Sequence, residues 1–229
     1  KDYDRGNPKI TDEEWDNMYF ELQDLEQETG LILPTSPTQT IHYEVVSALA
    51  KSEHNHKMLS LDKTKSLDEV ASFLGDKEYL AMLKMDGLTC SVTYRNGELV
   101  SAETRGNGLV GEDVLHNALN ISGIPRKIPC LTELTIDGEI ICTYTNFEKF
   151  SGDYKNPRNF AAGSIRLLNS KECAERDLSF IAWDCINYGN RNEENIGETL
   201  SSKLCSLMAQ GFETTDFTTM GNFSEHNIE

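Results

Sequence analysis

Two extended runs that meet at Asn96-Gly97 constrain the fold of this 229-residue chain more than any other feature. The runs lie in LTCSVTYRNGELVSAET, where apolar and polar residues alternate before the turn. A period of two is typical of a strand with one buried face, and Asn-Gly is the strongest short-range hairpin signal. The segment therefore predicts an antiparallel hairpin whose first strand buries one face.

Further strands and helices follow along the chain. Strands are predicted in ELTIDGEIICTY and LSFIAWDCINY, although Asp137-Gly138 in the first of these is also consistent with a turn. A helical segment, TNFEKF, opens with Thr145 and Glu148, and NPRNFAAGSIRLLN has Asn156 as a cap and Pro157 in the first turn. Strands with helices interspersed favour an α+β fold over a regular βαβ series.

The N-terminal part reads as helical. Thr11 and Glu14 have capping-box spacing, and Gly30 is a plausible end of that helix. A second helix is predicted between Ser66 and Gly75, and the last segment of the chain, TTDFTTMGNFSEHNIE, is polar. The first helix has one apolar face, made of Trp15, Met18, Tyr19, Leu22 and Leu25.

Charge and cysteine usage narrow the class of protein. The formal charge of −17 does not attract DNA or anionic membranes as a total field, although arginines cluster between Arg158 and Arg176. No apolar run approaches the roughly 20 residues that cross a bilayer. The six cysteines are scattered and form no C-x-x-C pair, which disfavours a zinc site and suggests a reducing cytoplasm.

LAMLKMDG places Lys84 in an apolar run, with Asp86 and Gly87 directly after it. An amine at a strand end with apolar neighbours is expected to be partly desolvated, which favours a nucleophilic lysine. Gly87 allows a turn or a close ligand approach. On the four residues alone the signal is weak, and a structural salt bridge is the alternative reading.

Downstream motifs add candidates. ETRGNGLVGED presents Arg105 and a glycine-rich loop that can bring backbone N–H groups to a phosphate. Glu139 follows a glycine on a predicted strand. Arg158 and Arg166 are eight residues apart, hence about 80° apart around a helix of 3.6 residues per turn, although Arg166 is also consistent with pairing to a nearby carboxylate.

This ordered set resembles the bacterial-type NAD-dependent DNA ligases. The matching blocks are SPTQ (36–39), MLSLD (58–62), LKMDG (83–87), ETRGNGLVGED (103–113), DGEI (137–140), NPRNFAAGSIRLL (156–168) and AERDLSF (174–180). The resemblance implies a nucleotidyltransferase (ATP-grasp-like ligase) fold of antiparallel sheets with flanking helices, preceded by a small helical subdomain. Residues 1–48 would be a partial nicotinamide-mononucleotide-binding subdomain, and residues 49–229 an adenylation domain that is incomplete at its C-terminal end.

The resemblance also implies a function. NAD and Mg²⁺ would be the cofactors, and Lys84 would attack the α-phosphate of NAD to form adenylyl-lysine. The AMP would then pass to the 5′-phosphate of nicked double-stranded DNA, in replication and repair. The protein would be a cytoplasmic monomer without a membrane partner. By resemblance, the site residues are Lys84 and Asp86 for catalysis, Ser60, Leu61, Met82, Arg105 and Glu139 for the adenylate, Asp12, Trp15 and Asp16 for the nicotinamide end, and Arg158, Arg166 and Arg176 for DNA phosphates.

Two of the departures of this chain from the family pattern bear most directly on the reaction of Lys84. Met82 stands where the family has a glutamate that contacts the adenine. The later lysines and the zinc module of the family do not occur within these residues, and the chain does not begin with Met, so a fragment is expected. An alternative reading is therefore a nucleotide- or DNA-binding module that has lost turnover.

Overall fold

The computed structural model describes residues 10–33, 36, 38, 48–58, 61–150, 154–186 and 199–220, without the side chains of residues 12, 13 and 16. The chain divides into two compact units, Lys1–Met58 with Arg105–Glu112, and Leu59–Thr104 with Asp113–Glu229. The elements in chain order are α1 (Asp12–Thr29), β1 (Lys51–Glu53), α2 (Leu67–Leu74), β2 (Tyr79–Met82), β3 (Leu88–Arg95), β4 (Glu98–Thr104), β5 (Val110–Glu112), α3 (Leu115–Ala118), β6 (Leu134–Ile141), α4 (Tyr144–Phe147), a 3₁₀ turn (Glu148–Phe150), α5 (Pro157–Ser164), α6 (Ser170–Ala174), β7 (Ser179–Ile186), α7 (Leu200–Ala209) and β8 (Phe217–Met220).

The first unit contains α1, whose two ends the sequence predicts correctly. The Thr11 N–H donates to the Glu14 carboxylate at 2.8 Å, and the Glu14 N–H donates back to the Thr11 hydroxyl at 3.2 Å. Gly30 ends the helix in the left-handed region, with φ of 66°. The expected apolar face is only partly buried, because Met18 is 62% exposed and Leu25 is 49% exposed.

A short antiparallel pair completes the described part of the first unit. Strand β1 pairs with β5 in a register that places Ser52 opposite Gly111. The backbone continues the contact beyond the strands, since the Met58 N–H donates to the Gly108 carbonyl at 3.0 Å. These three-residue strands carry no periodic signal long enough to be recognised in the sequence.

The second unit is built on a four-stranded antiparallel sheet with the order β4-β3-β6-β7. The predicted hairpin between β3 and β4 is confirmed, and both Asn96 and Gly97 have positive φ. The prediction that β3 buries only one face is wrong, because Ser91 and Thr93 are also buried. On this second buried face the Thr93 hydroxyl has a hydrogen-bond partner, since it lies 3.1 Å from the Thr135 hydroxyl on β6.

Strand β6 continues through Asp137-Gly138, where the sequence was also consistent with a turn. Asp137 pairs with Ser91 and Gly138 pairs with Cys90, so the strand is continuous against β3. On the side of β7 the register shifts between Asp137 and Gly138. A Cβ on Gly138 would lie 2.2 Å from the Phe180 ring, and the absence of that atom lets β6 and β7 approach.

A second small sheet pairs β2 with β8 in antiparallel orientation, with Met82 opposite Phe217. The polar C-terminal segment, to which the sequence assigned no element, thus forms a strand at Phe217–Met220. The four residues FTTM do not alternate between apolar and polar and are too few to give a local signal. Its pairing with β2 depends on residues about 140 positions earlier, which a local reading of the sequence does not detect.

The helices of the second unit begin and end largely as the sequence predicts. Ser66 caps α2, Gly75 follows it with positive φ, and Asn156 caps α5 ahead of Pro157. One start is shifted: α4 is capped by Thr143 and already includes Thr145, which was expected to open it. Helix α5 ends at Ser164.

Aromatic side chains mark the core of the second unit. Phe212, which follows α7, packs edge-on against Tyr94 and Phe180, with ring centroids 5.7 and 6.4 Å away. Phe160 on α5 is fully buried and is contacted by the rings of Phe147, Phe150 and Tyr154. The helices are thus fixed to the sheet by large buried rings.

Candidate active site

Lys84 lies in the short segment that joins β2 to β3, two residues beyond the end of β2. The backbone of the preceding Leu83 is held twice: its N–H donates to the Asp216 carbonyl at 3.2 Å, and its carbonyl accepts from the Thr215 hydroxyl at 2.8 Å. Lys84 itself is exposed. The expected desolvation of this lysine is therefore wrong for the unliganded chain, because β2 ends before it and Leu83 is 59% exposed.

Asp86 turns toward α5 and pairs with Arg158. The Arg158 guanidinium donates to the Asp86 carboxylate at 2.9 Å, with the two side chains 44% and 72% exposed. The sequence left open a salt bridge for Asp86, but with Lys84 as its partner. An ion pair this exposed contributes little to stability, so the contact matters for where it holds the two groups.

Glu139 on β6 faces the same segment. Its carboxylate accepts hydrogen bonds from the Gly87 N–H at 3.2 Å and from the Thr89 side chain. Burial raises the pKa of the Glu139 carboxyl above its ordinary value. The hydrogen bond from Thr89, the positive charges of Arg158 and Lys84 and the bond from Gly87 all oppose this rise. Glu139 is thus the most buried anionic group beside Lys84.

Gly87 is required by its contact with the edge of β6. A Cβ built on Gly87 would lie 2.1 Å from the Ile140 carbonyl oxygen, so any other residue would push the segment away from the strand. The same close approach allows the Gly87 N–H to reach Glu139. The glycine therefore keeps the Lys84 segment against the carboxylate.

The other residues expected near the adenylate differ in how far they are buried, and one of them is not described. Met82 on β2 is half-buried, and its backbone pairs with Phe217. Leu61 is 75% exposed. Ser60 lies outside the described residues. The structure therefore brings Lys84, Asp86 and Glu139 together, and leaves the roles of Met82, Leu61 and Ser60 as predictions.

Arg105 belongs to the first unit, where its carbonyl lies 3.0 Å from Nε2 of His54. N–H groups of the glycine-rich loop after it are hydrogen-bonded to acceptors within the same loop. The N–H groups of Leu109 and Val110 donate to the Asn107 side-chain oxygen, and the Gly108 N–H donates to the Arg105 carbonyl. Internal acceptors thus bind the N–H groups of residues 108–110, and the predicted approach of this loop to a phosphate stays a prediction.

Arg166 lies past the end of α5 and not on the helix that was expected to carry it together with Arg158. One of its guanidinium N–H groups donates to the Ala162 carbonyl at 2.9 Å. Asn117 on α3 donates to the carbonyls on both sides of Arg166, those of Ile165 and Leu167, each at 2.7 Å. The turn that carries Arg166 is thus fixed from α3.

Arg176 is enclosed by the aromatic cluster. Its guanidinium carbon lies 5.0 Å from the centroid of the Phe150 ring and 5.5 Å from that of Phe160. It also pairs with Glu172 at 3.0 Å, and its side chain is 17% exposed. These contacts give Arg176 a packing role, and its expected contact with DNA stays a prediction.

The residues expected at the nicotinamide end all lie on α1. Trp15 is half-buried and stacks on Tyr19 with a centroid separation of 5.2 Å. Asp12 and Asp16 lie in the first two turns of the helix, and their side chains are outside the described part of the structure. The proposed ligand contact of these three residues stays a prediction.

Sequence reasoning missed three supports of the site. Thr89 is hidden in the alternation of β3, Thr215 lies in a polar segment without an expected element, and Asn117 follows a glycine-rich loop with no recognisable cap pattern. None of these has a local signal, because each acts on a residue that is at least 48 positions away.

Among the residues that the structure describes, no group of three or more His, Cys, Asp or Glu side chains is arranged to hold a metal ion. In the part of the chain that the structure describes, no helix is both long enough and apolar enough to cross a bilayer.

The antiparallel sheets with interspersed helices confirm the α+β prediction, and the family match identifies a nucleotidyltransferase-type adenylation domain. Residues 46–228 match the family model described as the NAD-dependent DNA ligase adenylation domain. Residues 2–42 match that of the DNA ligase-like N-terminal NAD⁺-binding domain. The chain belongs to the family of NAD-dependent DNA ligase adenylation domains, as the resemblance predicted.

Curated relatives agree with this assignment. The chain is 43% identical over 210 residues to a DNA ligase of Lachnoclostridium phytofermentans, covering 89% of this chain and 32% of that protein. It is 37% identical over 222 residues to a DNA ligase of Ruminiclostridium cellulolyticum, with coverages of 94% and 33%. A DNA ligase of Clostridium perfringens is 38% identical over 238 residues, with coverages of 94% and 35%. The chain spans about one third of the length of these relatives.

Proposed function

We propose that this chain carries out the first step of NAD-dependent DNA ligation, the transfer of AMP from NAD to Lys84. The observation that carries the proposal is the convergence of Lys84, Glu139 and the Asp86–Arg158 pair on one short segment, in a chain of this family. The two family matches suggest a boundary near residue 48, with an NAD⁺-binding part before it and the adenylation domain from residue 49 to 229.

The reaction requires a neutral amine and a leaving group. The Lys84 Nζ lone pair attacks the α-phosphorus of NAD, a nitrogen–phosphorus bond forms, and the pyrophosphate oxygen–phosphorus bond breaks. Nicotinamide mononucleotide leaves with the electron pair of that bond, and the amine loses its proton to solvent or to a nearby base. Negative charge that develops on the phosphoryl oxygens is stabilised by nearby cations, of which Arg158 is the candidate on α5.

Carboxylates and neighbouring residues would orient the nucleotide. In the proposed arrangement Glu139 accepts from the ribose hydroxyls, and Asp86 orients Lys84 after nucleotide displaces its pairing with Arg158. The remaining proposed contacts are Ser60, Leu61, Met82 and Arg105 with the adenylate, and Asp12, Trp15 and Asp16 with the nicotinamide end.

Mg²⁺ is proposed to reach the site on the substrate. Since the described residues hold no cluster of metal-binding side chains, the protein part of the site fits a metal ion bound mainly by phosphate oxygens and water. When bound, Mg²⁺ would neutralise charge on those oxygens. Asp86 and Glu139 are the carboxylates in reach of such an ion.

The later steps need the whole protein. We propose that a longer protein containing this chain passes the AMP to the 5′-phosphate of nicked double-stranded DNA, as a cytoplasmic monomer. The proposed DNA-phosphate contacts are Arg158, Arg166 and Arg176, with Arg176 the most enclosed of the three.

Intact-mass measurement tests the first step. After incubation with NAD and Mg²⁺, the mass of the chain should rise by one AMP unit, whereas ATP with Mg²⁺ should leave it unchanged. Addition of excess nicotinamide mononucleotide should reverse the adduct, because the reaction forms it by release of that molecule. Binding of NAD by calorimetry without any adduct would instead favour the alternative, a nucleotide-binding module without turnover.

A further inference from the structure

Thr89 and Glu139 form a cross-strand pair at the edge of the proposed site. Thr89 on β3 lies directly opposite Glu139 on β6 in the antiparallel register, so both side chains point to the same face of the sheet. The Thr89 side chain faces the Glu139 carboxylate from the opposite strand position, and its hydrogen bonding lowers the pKa of that carboxyl. Two residues earlier on the chain, the Gly87 N–H donates to Oε1 of Glu139 at 3.2 Å. One carboxylate is thus held by two donors from the segment that follows Lys84.

Charged and apolar groups surround the Glu139 carboxylate on several sides. Its positive neighbours are Lys84, from the segment after β2, and Arg158, from α5. On β7 the opposite residue is the apolar Ile181, and on β3 the buried Cys90 thiol has its pKa raised mainly by burial and further by nearby carboxylates that include Glu139. Among the residues that the structure describes, these are the partners of the partly buried carboxylate, so its orientation depends on each hydrogen bond.

We infer that Thr89 is a positioning residue, whose hydroxyl holds the Glu139 carboxylate in the orientation that receives the hydroxyl groups of the bound nucleotide. The inference rests on the proposed function for the identity of the ligand. The link between Thr89 and Glu139 is a property of the free chain and does not depend on NAD.

The consequence is a dependence of NAD use on pH. The Thr89 hydrogen bond lowers the pKa of Glu139, against the larger effect of burial. Removal of the hydroxyl lets that pKa rise further, so the carboxylate is protonated at higher pH than in the wild type. If adenylation needs the ionised carboxylate, its rate therefore begins to fall at a higher pH as the solution is made more acidic.

Thr89→Val and Thr89→Ser separate the hydroxyl from the shape of the side chain. Valine keeps the volume and favours a strand, whereas serine keeps the hydroxyl. The rate of AMP-adduct formation is measured against NAD concentration between pH 5 and 8. For Thr89→Val we expect the NAD concentration at half-maximal rate to rise by about three- to tenfold, the effect of one hydrogen bond, with the acid limb shifted to higher pH. Thr89→Ser should keep the wild-type NAD concentration at half-maximal rate and the wild-type acid limb.

Thr93→Val is the matched control on the same strand. Its hydroxyl pairs with Thr135 and not with Glu139, so its loss is expected to affect thermal stability without changing the dependence on NAD or pH. A Glu139→Gln background adds a second control. Since glutamine does not titrate near neutral pH, Thr89→Val should cause no further shift of the pH profile there.

NMR titration of the Glu139 carboxyl carbon tests the inference without NAD. The titration midpoint should rise in Thr89→Val and stay unchanged in Thr93→Val and Thr89→Ser. An unmoved midpoint in Thr89→Val would overturn the inference, as would unchanged NAD dependence in a chain that forms the adduct. A raised midpoint in a chain that neither binds NAD nor forms an adduct would keep the Thr89–Glu139 link and overturn the proposed function instead.

Discussion

At the residue scale, the structure changes the picture of Lys84 from a buried amine to an exposed one held beside a partly buried carboxylate. Its segment is fixed by Gly87, which cannot carry a side chain against Ile140. Asp86, expected to accompany the lysine, instead pairs with Arg158 on α5. In the proposed function, nucleotide binding would have to displace this exposed ion pair, which is weak.

Glu139→Gln tests the cost of holding this carboxylate. Burial raises the pKa of Glu139 above its ordinary value of 4.5. The folded state therefore binds this proton more tightly than the unfolded chain. The stability from the group is full below about pH 4.5 and is lost as the pH rises through the folded pKa. We therefore measure the free energy of unfolding in urea for Glu139→Gln and for the wild type at two pH values. The variant should gain stability relative to the wild type at pH 7, and it should gain less at pH 4. Exposed Glu78→Gln is the control, and an equal difference at both pH values would contradict the expectation.

Met82→Glu tests the position that departs from the family pattern. Met82 is half-buried on β2, two residues before Lys84, where a thioether is only a weak acceptor for the adenine. If the side chain reaches the base, Met82→Glu should lower the Kd for NAD by about fivefold, the effect of roughly one hydrogen bond. Calorimetry measures the change, and an unchanged Kd would show that Met82 does not lie against the adenine.

The residues of the site could be predicted from the sequence only by resemblance, and their surroundings could not. Lys84 and Glu139 stand in short motifs that match the family, whereas the partner of Asp86 is 72 positions away on α5. The exposure of Lys84 depends on where β2 ends. Such distant contacts leave no trace in the spacing of neighbouring residues.

At the element scale, local rules predicted the helices better than the sheets. The caps of α1, α2 and α5 follow from Thr11, Ser66 and Asn156, because capping is decided within four residues. The hairpin at Asn96-Gly97 was equally local. The pairing of β2 with β8 joins positions about 140 residues apart, and only the folded chain shows it.

Thr215→Val tests the contribution of the C-terminal segment to the site. The buried Thr215 hydroxyl donates to the Leu83 carbonyl, directly before Lys84. Its loss should lower the free energy of unfolding by about 1 kcal/mol and slow AMP-adduct formation, because the Lys84 segment loses an anchor. Exposed Thr218→Val on β8 is the control. Unchanged adduct formation in Thr215→Val would show that the segment does not need this hydrogen bond.

Asn117→Ala tests the support of the Arg166 turn. Asn117 is fully buried and donates to the carbonyls of Ile165 and Leu167. Because the Ile165 carbonyl loses its side-chain donor and the Leu167 carbonyl keeps only its contact with His116, we expect the free energy of unfolding to fall by about 2–3 kcal/mol, measured by urea denaturation. His116→Ala removes a single contact to the Leu167 carbonyl and should cost about 1 kcal/mol. Equal effects of the two changes would contradict the proposed support.

At the scale of the whole molecule, the chain combines an acidic surface with a small set of arginines. Its formal charge is −17, so affinity for DNA cannot come from the total field. Arg158 and Arg176 are already paired within the chain, with Asp86 and Glu172. These features fit a part of the ligase that handles NAD, in a chain that covers about one third of its relatives.

Intact mass after incubation with NAD and Mg²⁺ tests the central claim, adenylation of Lys84, most directly. The wild type and Lys77→Ala, which changes an exposed lysine before β2, should each gain one AMP unit. Lys84→Ala should gain none while it keeps the thermal stability of the wild type, because Lys84 is exposed. An AMP adduct on Lys84→Ala, or none on a wild-type chain that binds NAD, would contradict the account.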